Sequence, residues 1–165
     1  MRKITLLTAL MLALAVLAPT GAAPAAGGSD LPFKGVQSGS ATTNLVTGQA
    51  HLLTSGTMSH FGLTTGEQHL QLVPTGPGTF TLLATWTLAA ANGDQMFGTV
   101  TGTVRFTDAV HSTTVASYVS TGGTGRFADA SLNASAAVEG TRLSVEGVIA
   151  TSFFEGTIVG RLSYR

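Results

Sequence analysis

The chain has 165 residues, and charged side chains make up 10% of it, well below the roughly 25% usual for soluble domains. Eight basic residues balance eight acidic ones, and there is no cysteine. This composition excludes a basic nucleic-acid footprint and a polybasic lipid-binding segment. It also excludes thiol catalysis, cysteine-ligated zinc and disulfide stapling.

Arg2 and Lys3 precede an uncharged apolar run over residues 4–17, and Ala23-Pro24-Ala25 follows it. That is the three-part layout of a secretory signal peptide, assigned to residues 1–25. The run is about 14 residues long, short of the roughly 20 that span a bilayer. Cleavage near Ala25 or Ala26 is expected to leave a secreted or periplasmic chain with no stable membrane insertion. Without Arg2 and Lys3 it keeps six basic and eight acidic residues. Residues 26–32 are small and contain Gly and Pro, the composition of a flexible tether. The folded domain is expected over 33–165.

Beyond Phe33 the pattern is Thr, Val and Phe in short runs broken by Gly, which is strand-and-turn chemistry. The spacing predicts strands over 33–43, 48–54, 57–65, 67–73, 79–90, 95–106, 112–120, 126–138, 141–150 and 153–164, some of the early ones merging. Phe80, Leu82, Ala84, Trp86 and Leu88 share one face, opposite Thr79, Thr81, Leu83, Thr85 and Thr87. Val100, Gly102, Val104 and Phe106 do the same, as do Leu143, Val145, Gly147 and Ile149. Phe154, Gly156, Ile158, Gly160, Leu162 and Tyr164 form a fourth such face. Period-two alternation with a Thr-rich outer face marks half-buried antiparallel strands. Turns are expected at Pro74–Gly78, Asn92-Gly93-Asp94, Thr121–Gly125 and Glu139-Gly140-Thr141. Closure of about eight strands into a small antiparallel barrel removes both sheet edges. In-strand glycines at 98, 102, 147, 156 and 160 suit the corners of such a barrel. A β-sandwich is the alternative.

Gly122-Gly123-Thr124-Gly125-Arg126-Phe127-Ala128 is the most specific stretch of the chain. It resembles the Gly-Gly-Thr-Gly-Arg/Lys-Phe signature of plant dirigent proteins and the Gly-Gly-Ser-Gly-x-Phe stretch of allene oxide cyclases. Ala91-Asn92-Gly93-Asp94 and Ser59-His60-Phe61-Gly62 resemble two further stretches of exported bacterial relatives. The resemblance implies an eight-stranded barrel with a central cavity, assembled as a dimer or trimer. The match weakens at Asp129-Ala130-Ser131, and no catalytic residue of those families maps onto a numbered position here. Independently of any family, Gly122, Gly123 and Gly125 allow a tight reversal that drops Phe127 into the interior. Arg126 then faces solvent or a carboxylate such as Asp129.

The remaining chemistry is sparse. The Gly-rich stretch lacks a phosphate loop's Lys-Ser/Thr ending. No Gly-x-Ser-x-Gly elbow is present. His51, His60 and His69 recur every nine residues, with His111 apart. A spacing of nine changes faces along one strand, so convergence on a metal would need a hairpin, and no metal or other cofactor is assigned. Asp94, Asp108, Asp129, Glu139, Glu146 and Glu155 are the strand-region carboxylates. Asn133-Ala134-Ser135 is a glycosylation sequon, relevant only in a eukaryotic secretory path. Ligand contacts are expected from His60, Trp86, Arg126, Phe127 and Glu155, the last if its strand face lines the lumen. Two functions follow. One is a non-catalytic module that binds a small apolar ligand or mediates assembly. The other is a cofactor-free cyclase or isomerase, or a dirigent-type protein that steers ring closure or coupling of a small hydrophobic substrate.

Overall fold

The computed structural model describes residues 30–164. The expected signal peptide and residues 26–29 of the tether lie outside the described residues. Eight strands follow one another: β1 (Asp30–Asn44), β2 (Gln49–Met58), β3 (Gly62–Gly76), β4 (Thr79–Ala90), β5 (Gln95–Phe106), β6 (His111–Gly123), β7 (Ala130–Glu146) and β8 (Ile149–Tyr164). Each pairs antiparallel with the next, and β8 pairs with β1. The ladder therefore closes into an all-β barrel, and a sandwich is ruled out. The strand β1 begins at Asp30, opposite Ser163 of β8, so the last three residues of the expected tether are in the ladder.

Alternation predicts the inward faces well. Leu82, Trp86 and Leu88 of β4 are buried while Leu83, Thr85 and Thr87 are exposed. Phe154, Ile158 and Leu162 of β8 are buried. Inward glycines sit opposite bulky inward neighbours: Gly98 faces Trp86, Gly160 faces Phe33, and Gly140 faces Phe154. Small against large lets the rings fit inside a barrel of eight strands.

Several expectations are corrected. Residues 57–65 do not form one strand, because the chain reverses after Met58, using left-handed backbone at His60 (φ 67°) and Gly62 (φ 74°). Glu139-Gly140-Thr141 is not a turn, and the two strands expected around it are the single strand β7. The reversal comes later, at Gly147 (φ 61°), which is a turn residue rather than an in-strand glycine. The inward residues of β7 are the even-numbered ones from Ala130 to Gly140, so Leu143 and Val145 fall on the opposite parity, and they are 64% and 48% exposed where the strand runs out past the barrel wall. Arg126 and Phe127, expected at the start of a strand, belong with Gly125 to a short 3-10 turn.

The two barrel ends differ. One end collects the β2–β3, β4–β5 and β6–β7 connections and is filled with aromatic side chains. Phe61 stacks on Phe127 with centroids 4.1 Å apart, and Phe33 meets Phe61 edge-on at 5.8 Å. Phe127, Met96 and Leu162 are fully buried. The other end, bearing the remaining four hairpins, opens into the lumen.

Candidate functional site

The lumen holds a cavity of about 120 Å³ bounded by aliphatic walls that include Leu70, Leu82, Val104 and Ala116. Its floor is polar. Gln37 of β1, Gln68 of β3 and Tyr118 of β6 are all more than nine-tenths buried. Gln68 Nε2 donates to the Tyr118 phenol oxygen at 3.2 Å, and Gln68 Oε1 lies 3.4 Å from the same oxygen. This bond crosses the barrel between strands that are not neighbours. The register makes room for it: Gln37 lies between Gly56 of β2 and Gly156 of β8. Burial pushes the Tyr118 phenol above its ordinary value of 10.0, and the hydrogen bonds with Gln68 and Gln37 pull the other way. The phenol is therefore neutral at physiological pH and able to donate or accept a hydrogen bond.

Trp86 lies beneath this floor. Its ring meets Tyr118 edge-on at 6.0 Å, and its Nε1 donates to the Thr99 carbonyl at 3.0 Å. At the mouth, Arg142 reaches over the Phe106 ring at 5.2 Å and donates to the Ala109 carbonyl at 2.9 Å. Ser112, Thr114 and Ser152 also line the cavity. The polar side chains of the lumen are thus amides, hydroxyls, a phenol and a guanidinium. They donate and accept hydrogen bonds.

The residues singled out from sequence do not converge on this cavity. Trp86 comes nearest, under the floor. Phe127 belongs to the aromatic plug at the far end. Arg126 sits beside it, its guanidinium 4.8 Å from the Phe127 ring centroid. Its carboxylate partner is Asp94 at 3.7 Å, not Asp129, because the turn that carries Arg126 packs on the β4–β5 hairpin. His60 contacts the Pro32 carbonyl oxygen through Nε2 at 3.0 Å and lies at the same end. Glu155 is exposed on the outer face, opposite Ser38 and Glu139, so it faces away from the lumen.

The three stretches that carry the family resemblance meet at the plugged end. Phe61 stacks on Phe127. Asp94 accepts the Arg126 backbone N–H at 3.3 Å and is held by Asn92 Nδ2 at 2.7 Å. Thr124 N donates to the Gln95 carbonyl at 2.7 Å, and its hydroxyl accepts the Gln95 N–H at 2.9 Å. Gly125 has φ +53°, and a Cβ there would run into the Asp94 carboxylate. Gly122 and Gly123 are different: they are paired in the β5–β6 ladder. A Cβ on Gly123 would press on the Phe127 side chain at 2.8 Å. The signature is a clasp that shuts one end of the barrel.

Sequence reasoning missed Gln37, Gln68, Tyr118 and Arg142. A signal was present for the two glutamines. Each occupies an inward position of a strand whose inward neighbours are apolar or small, and a polar residue at such a position marks function or strain.

A search of solved structures matches the structure of a pterocarpan synthase dirigent protein at 12% identity and TM-score 0.43, covering 83% of this chain and 88% of that one. No family model and no curated protein matches. Closure and strand order are read from this chain's own ladders.

Proposed function

We propose that this barrel, once exported, binds a small and largely apolar molecule of about one ring in its lumen. The observation that carries this is the Gln37–Gln68–Tyr118 cluster at the bottom of a cavity whose walls are largely apolar and whose mouth carries Arg142 and hydroxyls. Burying three polar side chains is costly unless each finds partners. Among the described residues no fully buried side-chain nitrogen or oxygen lacks a partner, so a ligand oxygen placed above the cluster would join a network already held in place, and the apolar walls would cover the rest of the ligand. Apolar cavities near 150 Å³ accommodate benzene, so a cavity of about 120 Å³ suits a single ring with one hydrogen-bonding group. Arg142 and the hydroxyls at the mouth would favour a polar substituent pointing outward.

A second reading rests on Tyr118. Burial keeps this phenol protonated, so it could steer a ring closure by hydrogen-bonding to a developing oxyanion. Binding is the better-supported reading, because among the described residues the cavity lining holds amides, hydroxyls, a phenol and a guanidinium but no carboxylate or imidazole to move a proton.

The test uses p-cresol and toluene as probes and the single tryptophan, under the cavity floor, as reporter. Fluorescence titration should show p-cresol binding more tightly than toluene. Gln68→Leu should weaken p-cresol at least tenfold while toluene is unchanged or improved. Equal affinities for both probes, or an unaltered p-cresol affinity in Gln68→Leu, would remove the floor from the account.

A further inference from the structure

Outside the lumen, the β2–β3 hairpin builds a cluster that the function above does not use. His51 and His69 are directly opposite one another in the antiparallel ladder, so the β2–β3 hairpin, which reverses near His60, brings the two imidazoles together. Their rings stack at 4.8 Å with an interplanar angle of 20°. Glu67 precedes His69 by two residues and projects from the same face. One of its oxygens, Oε1, lies 2.6 Å from His51 Nε2 and 3.0 Å from His69 Nε2. All three side chains are accessible to solvent, with relative exposures of 43%, 51% and 68% for His51, Glu67 and His69.

We propose that His51, Glu67 and His69 form a divalent transition-metal site on the outer wall of the barrel. The two Nε2 atoms and one carboxylate oxygen would be the protein ligands, and water would take the fourth position. Three donor atoms of the right kinds already lie within 4.8 Å of one another. A tetrahedral ion with bonds of about 2.0–2.1 Å holds its ligands about 3.4 Å apart. Side-chain rotation covers the difference, because none of the three is packed in the core. Both imidazoles point Nε2 at one carboxylate oxygen, so their lone pairs would converge where an ion would insert. The cross-strand neighbours on either side, Thr42 of β1 and Thr85 of β4, carry no charge to oppose a cation. Two imidazoles and one carboxylate suit Zn²⁺, Ni²⁺ or Cu²⁺ rather than Mg²⁺ or Ca²⁺, which prefer all-oxygen shells. A bound ion would clip β2 to β3 and stabilise the hairpin, since the unfolded chain does not hold the three ligands together.

The test uses the untagged, chelator-stripped protein and titrates Zn²⁺ and Cu²⁺ by calorimetry. One ion per chain should bind, with Cu²⁺ tighter than Zn²⁺, and the melting temperature should rise with metal concentration. His51→Ala and His69→Ala should each lower affinity at least tenfold, whereas His111→Ala should leave it unchanged. Copper electron paramagnetic resonance should show coupling to two imidazole nitrogens in the parent and one in either histidine variant. Both variants should fold normally, because the side chains are on the outer wall. No binding by the parent, or binding that survives both substitutions, would overturn the proposal. Loss of binding in His111→Ala would overturn it as well, by placing the ion elsewhere.

Discussion

Gly125→Ala is the sharpest test of the clasp at the plugged end. The residue has φ +53°, and an added Cβ would collide with the Asp94 carboxylate. Holding a non-glycine residue in left-handed backbone costs about 1–2 kcal/mol. Displacing Asp94 loosens its bonds to the Arg126 N–H at 3.3 Å and to Asn92 at 2.7 Å, which adds about 1–2 kcal/mol. The sum is about 2–4 kcal/mol. In a domain of this size each kcal/mol lowers the melting temperature by about 3–4 °C, so the expected drop is about 6–16 °C. Urea and thermal unfolding of Gly125→Ala, Asp94→Ala and the double variant form a cycle. The single substitutions share the loss of the Asp94 contacts, so the double variant should be less destabilised than their sum by about 1 kcal/mol or more. A Gly125→Ala protein within about 0.5 kcal/mol of the parent, or strict additivity in the cycle, would refute the reasoning.

The other predictions are smaller in scope. Phe127→Ala should destabilise by about 3–5 kcal/mol, because its ring is fully buried and stacked on Phe61. Arg126→Ala should cost about 1 kcal/mol or less, since its ion pair is long and half exposed. Comparing the two by urea unfolding separates packing from charge. In a Tyr164→Phe background, Tyr118 should ionise above pH 10, followed by ultraviolet absorbance. Its phenol is raised by burial, so the linked stability is intact below pH 10 and is lost as pH rises through the folded-state value. Ionisation at or below pH 10 would place the phenol in water. Asp108 accepts hydrogen bonds from the His111 ring and from the backbone N–H groups of Val110 and His111, which hold its carboxyl down at about 2 instead of 3.8. Its contribution to stability is present above about pH 3.8 and fades as pH falls towards 2. A carboxylate NMR titration of Asp108 with a midpoint near 3.8 would contradict this.

Much of the barrel is legible in the sequence because alternation is a local property. Strands β4 and β5 fall where Trp86, Val100 and Val104 place them, and Asn92-Gly93-Asp94 forms the hairpin between them. Boundaries fail where a residue's role depends on its neighbour across the barrel. Gly140 resembles a turn in one dimension, yet it is a space-holder opposite Phe154. His60 carries no turn signature, yet it adopts left-handed backbone. The candidate site was less legible still. Gln68 and Tyr118 are 50 residues apart, and only closure brings them together. The Arg126 motif stood out in sequence because a clasp needs specific residues at fixed spacing. The lumen floor needs only single polar residues on three separate strands, and they leave no contiguous signature.

A ligand held by the Gln37–Gln68–Tyr118 floor must sit inside the barrel, against its inward methyl groups. Intermolecular nuclear Overhauser effects between p-cresol and methyl-labelled protein would test this directly. The structure predicts contacts from the ring to the methyls of Leu70, Leu82, Val104 and Ala116. Contacts to the outward Leu53, Val115 and Val119, or none to the inward set, would contradict it.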